Sequence, residues 1–99
     1  MASTKEFKDF VLDQLRELDD IACRAMMGEF VLYYHGVVFG GIYDDRLLIR
    51  KTNSNKKYRL NEEIPYEKGR PMYLVEDVDN YIYLKSLIIE TCKELKKTK

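Results

Sequence analysis

The strongest constraint in this sequence is a two-residue break, His35-Gly36, between two apolar runs rich in β-branched and aromatic residues, 30–34 and 37–43. Glycine reaches positive φ at no steric cost, so the runs are expected to fold back on each other as an antiparallel hairpin. Similar short runs extend from Ala22 to Lys51, broken also at Met27-Gly28 and Asp44-Asp45, which predicts an antiparallel meander. Aspartate takes positive φ less freely than glycine, so the turn at Asp44-Asp45 is the weaker of these assignments.

Two-residue turns at both His35-Gly36 and Asp44-Asp45 would sort the side chains by simple alternation. One face receives Val31, Tyr33, Val38, Gly40, Ile42, Leu47 and Ile49, an aliphatic set suited to packing under helices. The other receives Phe30, Leu32, Tyr34, Val37, Phe39, Gly41, Tyr43, Arg46, Leu48 and Arg50. That second face is too apolar to be left in water, and its phenol and guanidinium ends suit a partner-covered surface. A slip of one residue would exchange the two faces.

Helical periodicity flanks the meander. Ser3 and Glu6 have capping-box spacing, and Phe7, Phe10, Val11, Leu15 and Leu18 follow at helical intervals, predicting a first helix over residues 4–18. Residues 53–61 read as a polar segment with a short helical turn capped by Asn53 or Ser54, and 62–69 as an irregular crossing link. Pro71 then opens one more strand, 71–75. Asp79 is a candidate N-cap for a long closing helix whose main face is Tyr81, Leu84, Ile88, Cys92 and Leu95, widened by Ile82 and Ile89. Lys93, Lys96, Lys97 and Lys99 gather at its end, where cations suit the helix dipole. The expected architecture is α+β: one domain over 1–99, with an antiparallel sheet of about five strands and the N- and C-terminal helices packed on one face in two layers.

Seventeen Lys and Arg balance seventeen Asp and Glu, which removes the overall basic excess that tracks phosphate backbones. No phosphate-loop, dinucleotide, zinc-protease or serine-hydrolase motif occurs. The acid pairs Asp19-Asp20, Asp44-Asp45 and Glu62-Glu63 read as solvated turn residues, and acid–base catalysis needs a carboxylate desolvated in a cleft. His35, on its exposed turn, is expected to lack both burial and a charged partner. Cys23 and Cys92 read as reduced thiols, and one histidine with two cysteines makes none of the common zinc sets. The expectation is therefore no enzyme, no catalytic or metal residue, no cofactor and no membrane span. The amino terminus has no signal-type apolar segment, so a cytoplasmic location is expected.

Arg24-Ala25-Met26-Met27-Gly28-Glu29, Tyr33-Tyr34-His35-Gly36, and Gly40-Gly41-Ile42-Tyr43-Asp44-Asp45-Arg46, followed by Pro71-Met72 and a closing helix, together resemble the amino-terminal domain of the TfoX/Sxy family. The resemblance implies helices on an antiparallel sheet. Two-domain members regulate natural competence alongside transcriptional machinery. This chain resembles the short members, with no residues left for the carboxyl-terminal domain, so the module transfers and the pathway does not. No catalytic motif comes with the family.

In the matching early element, Met26, Met27 and Gly28 are expected to form a strand and glycine turn with the methionines packed beneath, and Arg24 to organise a contact edge. Gly36 serves the hairpin, and Gly40 and Gly41 mark a bulge or a close crossing. The leading functional expectation is a small regulatory or adaptor-like module, acting in transcription or competence by contact with a protein partner or a second copy. Its candidate contact residues are Arg24, Phe30, Tyr34, Phe39, Tyr43, Arg46 and Arg50. Ranked second is a nucleic-acid-binding accessory using aromatic residues beside Arg46, Arg50, Lys51, Lys56 and Lys57.

Overall fold

The computed structural model describes residues 3–97, with the side chain of Lys97 outside that description. Met1, Ala2, Thr98 and Lys99 therefore lie outside the described residues, including one lysine of the basic carboxyl-terminal run. Helix α1 (Lys5–Gln14) leads into strands β1 (Ile21–Met26), β2 (Glu29–Tyr34), β3 (Val37–Ile42) and β4 (Leu47–Ile49). A 3-10 turn (Lys56–Tyr58), β5 (Glu62–Glu63), β6 (Met72–Val75) and helix α2 (Tyr81–Lys97) follow. The six strands form one antiparallel sheet in the order β1-β2-β3-β4-β6-β5. The α+β reading holds, with the two-residue β5 as a sixth strand inside the segment read as an irregular link.

All three hairpins of the meander turn over two residues with positive φ: Met27 and Gly28, His35 and Gly36, Asp44 and Asp45. Such mirror-image turns match the right-handed twist of the strands they join. At Asp44-Asp45, where no glycine relieves the backbone, side chains supply the compensation. The Glu29 carboxylate accepts from the Asp44 N–H at 3.1 and 3.3 Å, and the Ser3 hydroxyl accepts from the Asp45 N–H at 3.1 Å. Ser3 in turn donates its hydroxyl to Glu29 at 2.6 Å. With Ser3 engaged there, the cap of α1 is Thr4, whose hydroxyl accepts from the Phe7 N–H at 3.1 Å. Helix α2 is likewise capped one residue later than expected, by Asn80, whose Oδ1 accepts from the Tyr83 N–H.

Simple alternation fails at one point. Leu32 pairs with Gly40 and Tyr33 with Val38, so Phe39 is an extra residue and β3 carries a β-bulge. A bulge reverses the parity of everything beyond it. After it, the expected faces are correct: Ile42, Leu47 and Ile49 join the core beneath the helices. Before it they are exchanged. Leu32 and Phe39 are fully buried in that core, with Phe30, Tyr34 and Val37 packed against it, while Val31, Tyr33 and Val38 take the outer side. Gly40 is required by the bulge itself, because a Cβ there would stand 2.1 Å from the Leu48 carbonyl oxygen.

Val11, Leu15 and Leu18 and the α2 residues Leu84, Leu87, Ile88 and Cys92 close this core. Phe10 and Ile82, placed on the apolar faces by periodicity, are 42% and 64% exposed, and Leu87 is the buried residue that reading missed. The helix layer also carries a polar seam. Asn55 is fully buried between the segment after β4 and α2, where Tyr58 donates its hydroxyl to Glu90 at 2.8 Å.

Burial first, then the bond to Glu90, pushes the Tyr58 hydroxyl from its usual 10 up to about 12, and burial pushes the Cys92 thiol up to about 11. Both groups hold their protons more tightly in the folded chain than in the unfolded one. Their contribution to stability is therefore full below about pH 9 and is lost as pH rises from 9 toward 12. Urea midpoints should decline through that window, and Tyr58→Phe should flatten the part of the decline above about pH 10. A midpoint unchanged across the window would contradict this linkage.

Candidate interaction surface

The face away from the helices is built from the alternate residues of the same strands. Arg24 and Met26 of β1, Val31 and Tyr33 of β2, and Val38 of β3 lie there, and beyond the bulge Gly41, Tyr43, Leu48 and Arg50 share it. Leu48 is nevertheless fully buried. The link between β5 and β6 crosses this face, with Pro65 buried and the Tyr66 ring 6.0 Å from that of Tyr43. Gly41 makes the ring pair possible. A Cβ at this position would fall 2.5 Å from the Phe30 carbonyl oxygen and 2.8 Å from the Tyr43 ring, so only glycine leaves room for the phenol against the strand. Burial raises the Tyr43 hydroxyl above its usual range, with Tyr66 and Glu29 adding to the effect.

Of the expected contact residues, Arg24, Tyr43 and Arg50 share this outer face. Phe39 is inside the core, and Phe30 and Tyr34 are half-buried against it; the bulge parity is the cause. Arg46 is tied to the far corner, with Nη1 2.9 Å from Glu63 Oε1 and Nε donating to the Tyr43 carbonyl.

The methionines also differ from expectation, because Met27 occupies the first turn position and is 97% exposed, and Met26 is 51% exposed. With Glu29, Val31, Tyr43 and Tyr66 they line a concavity of about 550 Å³ on the outer side of the β1–β2 end. Tyr66 was not singled out in the sequence. The signal available was positional: a link with buried Pro65 leading into β6 must cross one face of the sheet.

His35 does have charged neighbours, contrary to expectation. Its ring lies 3.3 Å from Asp19 Oδ1 and 3.5 Å from Asp20 Oδ2, in an exposed cluster at the opposite end of the hairpin from the concavity. The cations considered for nucleic acid are dispersed and largely engaged. Arg46 is paired with Glu63, Lys51 with Glu62 at 3.0 Å, and Lys57 with Glu90 at 2.6 Å. Both cysteines are free thiols, Cys92 buried and Cys23 half-buried. Among the described residues no helix is long and apolar enough to cross a membrane.

An uncharacterised 12.7 kDa protein in the trpE 5′ region of Spirochaeta aurantia is 30% identical over 80 residues, which is 79% of this chain and 70% of that protein. The family model for the TfoX N-terminal domain matches residues 13–98, from the last two residues of α1 through the meander to the end of α2. The chain belongs to the TfoX N-terminal domain family.

Proposed function

We propose that this chain is a non-catalytic regulatory or adaptor-like module that holds a partner protein at the β1–β2 corner, in the competence or transcription setting of its two-domain relatives. One observation carries the reading: three of the strongly exposed large apolar residues, Met26, Met27 and Tyr66, converge on one concavity beside an edge strand. Methionine is an adaptable contact residue, and clustered apolar exposure marks interaction surfaces. Strand β1 is terminal in the sheet, and an unpartnered edge offers its backbone to an added strand. The occupant this favours is an extended segment of another protein that pairs with β1 and sets an apolar side chain among the methionines. Arg24, exposed on β1 with no ion pair among the described residues, suits an acidic neighbour on that segment.

Met27→Lys tests this, because the side chain is nearly free of the fold and its replacement should change stability by no more than about 0.5 kcal/mol. Proteins captured from cytoplasm by the native chain should be lost, by about tenfold or more, with Met27→Lys and kept with Phe10→Lys, a control at an exposed site on α1. Equal capture by all three forms would remove the corner as the contact. Light scattering completes the test: a dimer that Met27→Lys dissociates would make the occupant a second copy.

A further inference from the structure

We infer that the outer face carries a second site, for a mononucleotide-like ligand, in the groove between strands β3 and β4 and the crossing link. The groove encloses about 630 Å³, within the usual range for small-molecule sites. Four cations line it, Arg50, Lys51, Lys68 and Arg70, and no carboxylate does. In a chain whose charges balance overall, that lining is a local departure from the mean. Lys51 is shared with Glu62, and Arg50 donates to the Val38 carbonyl at 3.4 Å. Lys68 and Arg70 have no hydrogen bond or ion pair among the described residues, in contrast to Arg46, Lys57 and Lys5, each held by an acid. Unneutralised cations in a cleft with low-dielectric walls concentrate anions there.

The remaining walls suit an aromatic group. Tyr43 and Tyr66 both border the groove, their rings tilted 53° to each other, and Tyr66 is 63% exposed. A planar base can lie on such a phenol while the phosphate meets the guanidinium and ammonium groups. The ligand should be short. At one end of the groove stand Glu62 and Glu63, paired with Lys51 and Arg46, and carboxylates there disfavour the further phosphates of a strand. The inference is independent of the β1–β2 contact, although Tyr43 and Tyr66 border both concavities.

Calorimetric titration of the full chain with AMP, UMP, adenosine and inorganic phosphate tests it. At least one of the two nucleotides should bind at a single saturable site, about tenfold or more tighter than either phosphate or adenosine. That binding should weaken as salt rises from about 50 to 200 mM. The double variant Lys68→Gln/Arg70→Gln, both at exposed positions, should lose about tenfold in nucleotide affinity with an unchanged melting temperature. Tyr66→Ala should weaken the nucleotide and leave phosphate binding unchanged, and Phe10→Lys, at an exposed site on α1 that borders neither concavity, should leave both unchanged.

No saturable binding of either nucleotide, or full affinity in the double variant, would overturn the site. Phosphate binding as tight as the nucleotides would overturn the role of the rings, and adenosine binding as tight would overturn that of the cations. A ten-nucleotide single strand binding about tenfold tighter than either mononucleotide would overturn the single-phosphate groove in favour of a strand path.

Discussion

Phe39→Ala should lower stability by about 3–5 kcal/mol, and Phe39→Asp should leave no folded population. Phe39 is fully buried, the largest completely buried side chain among the described residues. It sits at the bulge, on the strand over which α2 packs. Truncation to alanine removes the ring's transfer energy and leaves a cavity that a rigid bulge cannot close. A domain of this size has about 5–15 kcal/mol in total, so the alanine variant should survive only marginally. Val38→Asp, one residue earlier and on the outer face, should still fold. Urea unfolding of the pair reads the parity of the sheet directly. Were Phe39→Asp stable and Val38→Asp unfolded, β2 and the first half of β3 would face the other way.

Three hairpin turns, the strand and helix content and the two-layer arrangement follow from local chemistry: glycine or aspartate at positive φ, alternation in the meander, and helical spacing at both ends. The bulge is harder. Gly40-Gly41 signals one, but the shift of register depends on which of two residues opposes Leu32, and that is decided by Gly40 fitting against the Leu48 backbone across the sheet. A single non-local contact thus exchanged five outward residues for core residues, and with them three of the seven expected contact positions.

The candidate surface was partly legible. Arg24, Met26, Met27 and Tyr43 stood out as residues, but the exposure of Met27 follows from its place in the turn, and the concavity exists only because the link brings Tyr66 over Tyr43. Lys68 and Arg70 carry no local pattern at all. Their convergence with Arg50 comes from the path of a link whose route no periodicity encodes.

The other large effect is expected at Asn55, in a segment read as polar with a short helical turn, although Asn55 is fully buried. Both amide hydrogens of Asn55 are used, on the Arg50 carbonyl and the Thr91 hydroxyl, each at 2.9 Å. Its Oδ1 accepts from the Thr52 N–H at 3.0 Å, and the Thr91 hydroxyl donates to the Leu87 carbonyl at 2.8 Å. Glu94 accepts from the Asn53 and Ser54 N–H groups, both at 2.9 Å, at the rim of the same seam.

Asn55→Leu keeps the branching at Cγ but strands the Thr52 N–H and the Arg50 carbonyl in a dry interior, at about 1–3 kcal/mol for each group. A total loss of about 3 kcal/mol or more is expected, well above the cost of Thr91→Val, which removes one partner and leaves the rest of the network intact. Asn55→Asp adds a sign that packing alone would not produce. A carboxylate buried against a carbonyl oxygen keeps its proton, so its folded pKa lies above the unfolded value and the variant's stability is lost as pH rises through that range. Urea midpoints for Asn55→Asp should therefore fall from about pH 4 to pH 7 while those of the native chain do not. Amide exchange at Thr52 should quicken in both Asn55 variants, and native protection in Asn55→Leu would mean that the seam does not hold this segment to α2.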